Sequence, residues 1–205
     1  MDLELRYVLY DLFFSMFVRE PSDSIIDGWR RVLIALQDAQ PDAAFGQMAT
    51  RLLDMLHDED ANETVRSEFN RLFGHPLGPA VSIEASHYAD GQSFGNYLVG
   101  LRTFIEKTPF RKCDDYAEPE DTLPFHFDLM RAFIGEEQNA AVPHVKAEWR
   151  ALQRELMNDF LAPWIDGFLS ALAKQGDARF YQQAALLLQL YLEHEREFLL
   201  EEPAG

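Results

Sequence analysis

Glu84 and His87 stand three residues apart, the E-x-x-H spacing by which one helix turns a carboxylate and an imidazole toward a shared metal ion. A carboxylate-bridged di-metal site needs a second such pair and further carboxylates from other helices, and the sequence holds no second copy. His194 lies directly between Glu193 and Glu195, so these side chains diverge around a helix. Ser86, His87 and Asp90 are too close along the chain to converge as nucleophile, base and orienting acid, which a triad draws from different elements. The Gly-rich phosphate loop, the dinucleotide-binding turn and the nucleophile elbow are all missing. The reading is therefore a protein that is not an enzyme, with no catalytic residue, cofactor or metal assigned; metal binding through Glu84 and His87 stays as an alternative.

A second chemical feature lies in Tyr116 to Gly135, where Glu118, Pro119, Glu120 and Asp121 run into Leu123, Phe127, Met130 and Ile134 at the spacing of one helix face. Two readings stand side by side. Asp121 or Thr122 caps the helix, its carboxylate neighbours complementing the dipole, or the acidic cluster receives a cation. Pro124 disfavours helical backbone in its predecessor, so Leu123 is expected extended and the helix is expected to begin at Pro124.

The elements that must position these residues are helices. Leu5, Leu9, Leu12 and Met16 share a face up to Pro21; Ser22 then caps a second helix carrying Ile25, Ile26, Trp29, Leu33 and Leu36, which Pro41 stops. Phe45, Met48, Leu52 and Met55 form a third stripe, and a fourth, capped by Asn62, carries Val65, Phe69 and Leu72 to Gly74. Gly74 to Ser82 is a Gly/Pro loop, Ala89 to Gln92 a turn, and Phe94, Tyr97, Leu98, Leu101, Phe104 and Ile105 a further helix. Pro143 opens a helix with Val145, Trp149, Leu152 and Leu156; Pro163 breaks or kinks it; Asp177 starts the last one. No segment alternates with period two. The fold expected is all-α, a single globule of about eight to ten helices, with an N-terminal half 1–106, a mobile connecting segment 107–122 and a C-terminal half 123–205.

With 205 residues, 47% of them hydrophobic, the chain has enough apolar surface for a sizeable core. A net charge of −17 opposes nucleic acid and anionic membrane and favours cationic partners, although an acidic surface also serves solubility alone. The longest apolar run, Ala184 to Leu192, is too short to span a bilayer. The acidic start Met1-Asp2-Leu3-Glu4 lacks the basic region of an export signal, and Cys113 is the only cysteine; a cytoplasmic location is expected.

Glu118-Pro119-Glu120-Asp121 and the helix after it resemble the E-P-x-D-H signature of the TorD family, the chaperones of molybdenum enzymes whose relatives include DmsD and NarJ. Thr122 takes the place of the family's usual histidine, with His126 about a turn further on. Leu72-Phe73, the Gly74 to Pro79 loop and Ser86 with Tyr88 are similar to the family's aromatic helix end, Gly/Pro loop and Ser-x-Tyr motif, and Leu161 to Trp164 with Phe180-Tyr181 extend the likeness from about Glu68 onward. The resemblance implies a dedicated chaperone that binds the signal peptide, often of twin-arginine type, or the apo form of a molybdopterin-dependent oxidoreductase during cofactor insertion and assembly before export. NarJ-like relatives serve clients that stay in the cytoplasm. The implied client-binding residues are Phe73, Pro79, Ser86, Tyr88, Glu118, Pro119, Glu120, Asp121 and His126: carboxylates for paired arginines, apolar groups for the rest of the peptide. The implied partners are the apo catalytic subunit and its leader, without nucleic acid or stable membrane insertion, and the chaperone is a monomer or a domain-swapped dimer. Beside this stands the alternative of an acidic helical interaction protein with no molybdoenzyme client.

Overall fold

Ten α-helices and one π-helical turn account for the regular structure of a computed structural model that describes residues 2–39, 43–74, 78–113 and 118–200. Pro41, the loop tip at 75–77 and the middle of the connecting segment at 114–117, with Tyr116, lie outside the described residues. α1 (Leu3–Phe17) begins where Asp2 accepts the Leu5 amide at 2.7 Å, and it buries Leu9, Tyr10, Leu12, Phe13, Met16 and Phe17. α2 (Asp23–Ala39) follows Ser22, whose hydroxyl accepts from the Ile25 amide as expected. α3 (Ala43–Met55) and α4 (Ala61–Phe73) follow. Asn62 does not cap α4: it sits inside the helix, accepting from Arg30 and donating to Asp23, and so ties α4 to α2.

α5 (Ala85–Ala89) and α6 (Asn96–Glu106) are short. Phe94, expected in the stripe of α6, stands outside that helix with a φ of 58° and is exposed. α6 takes its cap from a distance: the Asp90 carboxylate accepts from the Tyr97 amide at 2.8 Å. Asp90 approaches so closely that a Cβ on Gly95 would lie 2.0 Å from it, so glycine is required there.

α7 (Leu123–Asn139) starts one residue earlier than Pro124 suggested. Thr122 is the extended residue, and the Leu123 amide is satisfied by Ile83 O at 2.8 Å, so Pro124 falls in the first turn where its missing N–H is harmless. α8 (Pro143–Glu155) opens with its proline as expected, and the π-helical turn Leu156–Leu161 carries the chain directly into α9 (Ala162–Ala173). α10 (Arg179–Leu200) begins two residues past the exposed Asp177. Its first amides are met instead by Glu68 of α4, which accepts from Phe180 and Tyr181 at 3.1 and 3.3 Å. A carboxylate at that position satisfies orphan donors and complements the helix dipole.

α1, α7 and α10 form the centre of the core. Tyr10 and Phe13 of α1 lie against Phe127 of α7 and Tyr191 of α10 with ring centroids 5.1 to 6.2 Å apart, and each buried ring contributes about 1.5–3 kcal/mol by leaving water. Trp29 of α2 stacks on Phe180, and Phe69 of α4 meets Tyr181. Helices from before and after the connecting segment thus share one core. Within it lies an ionic network that the sequence did not disclose. Arg6 donates to both Glu195 oxygens at 2.7 and 2.5 Å and to Gln153 at 2.6 Å; Gln153 and Arg150 donate to Glu137. Desolvation works against the Arg6 charge, but the Glu195 carboxylate holds its guanidinium above the ordinary value.

Candidate functional site

Two chain segments far apart in sequence meet beside α7. The Ala85 amide donates to Asp121 O and the Leu123 amide to Ile83 O, both at 2.8 Å, an isolated antiparallel bridge between Glu84 and Thr122. Asp121 is 1% exposed, and its Oδ2 accepts from both the amide and the hydroxyl of Ser86. The cap reading for Asp121 is therefore corrected. Its carboxylate serves the first turn of α5, and Thr122, the N-cap residue of α7, makes no capping bond with its side chain. The chain turns Asp121 inward because its own carbonyl pairs with Ala85 and Leu123 pairs with Ile83, an extended stretch that points alternate side chains to opposite sides.

Glu120, next in line, turns toward α6. Arg102 of α6 donates to its Oε2 at 2.8 Å; the Glu120 side chain is 13% exposed and that of Arg102 is 52% exposed. Desolvation pushes against ionisation here, and the Arg102 hydrogen bond and charge overcome it, holding the Glu120 carboxyl below its ordinary value. Glu118 is exposed, its carbonyl held by Lys112 Nζ at 2.8 Å, and Pro119 is half-buried.

Tyr88 projects from α5 onto α9. Its ring stacks on Trp164 at 6.0 Å and 17°, its hydroxyl donates to Ser82 O at 2.8 Å, and burial pushes that hydroxyl's pKa up to about 12. A Cβ on Gly167 would come within 2.9 Å of the Tyr88 ring, so the bare α9 backbone is what lets the ring lie down. His126 is buried next to Trp164, the two rings tilted at 60° with centroids 5.6 Å apart. Desolvation lowers its pKa to about 4, so it is neutral at pH 7. Thr122 O can only accept, so a neutral His126 donates from Nδ1 at 2.8 Å and its Nε2 accepts from Tyr97 OH at 2.7 Å. Tyr97 OH also reaches Phe160 O, which takes the Trp164 indole N–H at 2.7 Å as well. One tyrosine proton is thus shared between two acceptors.

Phe73 packs edge-on against Phe17, Phe69 and Tyr181 while Pro79 is exposed. Rings run continuously from Phe73 through Phe17, Phe168 and Trp164 to Tyr88. The structure therefore gathers Ser86, Tyr88, Glu120, Asp121 and His126 around the junction of α5, α7 and α9, with Phe73 at the other end of the aromatic row. Tyr97, Trp164, Gly167 and Arg102 belong to the same constellation and were not foreseen as site residues. Trp164 alone had a signal, its place in the Leu161 to Trp164 segment.

Glu84 and His87 do not converge on a common point: Glu84 accepts from Ser93, and exposed His87 packs edge-on to Tyr88. Among the described residues no group of three His, Cys, Asp or Glu side chains is placed to hold a metal ion, and no helix is long and apolar enough to cross a membrane.

A family model described as nitrate reductase delta subunit matches residues 38–170, a range that takes in α3 to α8 and most of α9 with the whole junction. Phe180-Tyr181 and α10, which contributed to the resemblance, lie beyond the matched range. No curated protein matches the chain. Because the match spans well over half of the sequence and contains both motif stretches that the Ser86–Asp121 contact joins, the chain belongs to the nitrate reductase delta subunit family, chaperones of the NarJ and TorD type that mature molybdoenzymes.

Proposed function

We propose that the chain recognises the leader peptide, the apo catalytic subunit, or both, of a molybdopterin-dependent oxidoreductase and holds it during cofactor insertion. The observation that supports this best is the junction itself. The Ser-x-Tyr and E-P-x-D stretches are sewn together by buried hydrogen bonds, leaving Glu118 exposed, Glu120 beneath Arg102 and Tyr88 laid across α9. Buried Ser86, Asp121 and His126 then position the surface, while Glu118, Pro119, Glu120, Tyr88, Pro79 and the Phe73 end of the aromatic row contact the client. A guanidinium seeks a carboxylate in paired geometry, and the apolar part of a leader seeks aromatic surface.

The test is copurification of the tagged chain from its native host, followed by calorimetric titration with the leader of whatever oxidoreductase is captured. Glu118→Gln with Glu120→Gln lowers the affinity while melting temperature stays close to that of the parent. Capture of no molybdopterin enzyme would return the chain to an acidic helical interaction protein without such a client. Unchanged affinity in the double variant would remove the carboxylates from the site.

A further inference from the structure

The outer face of α6 carries two apolar side chains that the fold does not use. Phe94 is 71% exposed and Val99 63% exposed. They occupy the positions just before the N-cap and one turn in, where a hydrophobic staple would join them, yet both keep most of their surface in water. Phe94 also sits at a φ of 58°, an unfavourable backbone region for a bulky side chain. That geometry is fixed from below, since Asp90 caps α6 through the Tyr97 amide and fills the space beside Gly95. The loop is therefore built to present a phenylalanine outward.

Along the same helix, Val99, Arg102, Thr103 and Glu106 follow one another on the exposed face at i, i+3, i+4 and i+7. Arg102 is the cation of this face, since Lys107 just beyond the helix turns to Glu155. Arg102 spans to Glu120 through one nitrogen, Nη2, although its guanidinium is half in solvent and has a second edge that a carboxylate could engage. Asp90, beside Gly95, and Glu106, at the far end of the same helix face, add negative charge and are both exposed.

We infer that this face, from Phe94 through Val99 to Glu120, docks an apolar peptide that carries arginine, and that Arg102 occupies Glu120 until an incoming arginine displaces it. The inference rests on the leader-binding reading above and gives it a surface and a built-in competitor. An apolar pair with carboxylates at both ends of its face suits an apolar cationic segment and disfavours both an acidic partner and a second copy of this strongly acidic chain.

The probe is a fluorescent synthetic peptide with an arginine pair ahead of a leucine-alanine run, titrated by anisotropy at low salt against the full chain. Arg102→Gln tightens binding about two- to fivefold, the range expected when an exposed ion pair no longer competes. Phe94→Ser weakens it about tenfold, as loss of an apolar anchor does. A peptide with glutamines in place of the arginines loses the gain from Arg102→Gln. Arg102 is half exposed, so its replacement leaves the fold intact, and Arg102→Lys, which keeps the charge, binds like the parent. If the parent binds the peptide and Arg102→Gln binds no better, the competitor is disproved and the leader-binding reading survives. If Phe94→Ser binds like the parent, the α6 face is not the surface. Binding by neither the parent nor Arg102→Gln would remove both readings, and a parent dimer that Phe94→Ser dissociates would assign the face to a second copy.

Discussion

Asp121→Ala removes the acceptor of two donors at a site that is 1% exposed, leaving the Ser86 amide and hydroxyl without a partner. A hydrogen bond to a charged group contributes about 1.5–3 kcal/mol, so the pair amounts to about 3–6 kcal/mol, reduced to about 3 kcal/mol if a water enters the space. For a chain of this size that lowers the melting temperature by roughly 6–12 °C. A solvated helix cap would cost only about 0.5–2 kcal/mol. Asp121→Asn keeps one oxygen for Ser86 and should cost about 1 kcal/mol. Urea unfolding followed by circular dichroism gives the three stabilities on one scale, and titration with the captured client's leader gives the affinities. Asp121→Asn is expected to bind nearly as well as the parent, because the buried carboxylate positions the surface without touching the client. An Ala variant that loses less than about 1 kcal/mol would refute the buried-acceptor argument. An Asn variant that is fully stable yet does not bind would show that the Asp121 charge itself is read.

His126 supplies a pH dependence. Its folded pKa is lowered from 6.5 to about 4, so the unfolded chain binds the extra proton first as pH falls; the stability is present above 6.5, is lost between there and about 4, and amounts to about 3 kcal/mol. His126→Gln should flatten that part of the stability profile in acid unfolding titrations. Glu195→Ala leaves the buried Arg6 guanidinium with only Glu137, 3.9 Å away and already paired with Arg150, as a counter-charge, and should cost about 3 kcal/mol in urea unfolding, far more than removal of a surface ion pair. Gly167→Ala pushes the Tyr88 ring off α9 and should weaken leader binding with a stability loss of about 1–3 kcal/mol, read by titration and melting together.

The helices were legible because their apolar residues repeat at helical spacing, and the stripes of α1 to α4 are buried, with Leu5, Ile25, Met48 and Met55 partly so at the edge of the core. What escaped was polar pairing between distant segments. Asp121 stands just before a helix and its local pattern describes a cap; only the fold brings Ser86, 35 residues away in sequence, to the same place. Glu68 reads as one polar residue on α4, and nothing local connects it with the start of α10, 112 residues later. Arg6 and Glu195 look like surface charges for the same reason, since burial of a charge depends on partners that periodicity does not reveal. The E-P-x-D and Ser-x-Tyr stretches were visible as motifs, but not that Asp121 turns inward to Ser86 while Glu120 pairs with Arg102.

The π-helical turn at Leu156–Leu161 makes chain length itself a constraint. Such a turn amounts to one residue more than an α-helix would hold over the same rise. Deleting one residue there, for example exposed Asn158, would let the turn close as α-helix with α9 kept in phase, whereas deleting one residue from α8 would rotate everything downstream by about 100°. Trp164 would swing out from beneath Tyr88, Phe160 O would leave Tyr97, and Ile165, Phe168 and Leu172 would turn away from the core together. No substitution elsewhere can restore that phase. Among related chains, a one-residue gap between α8 and α9 should therefore fall within this turn, where only the bulge is lost, rather than in α8 itself.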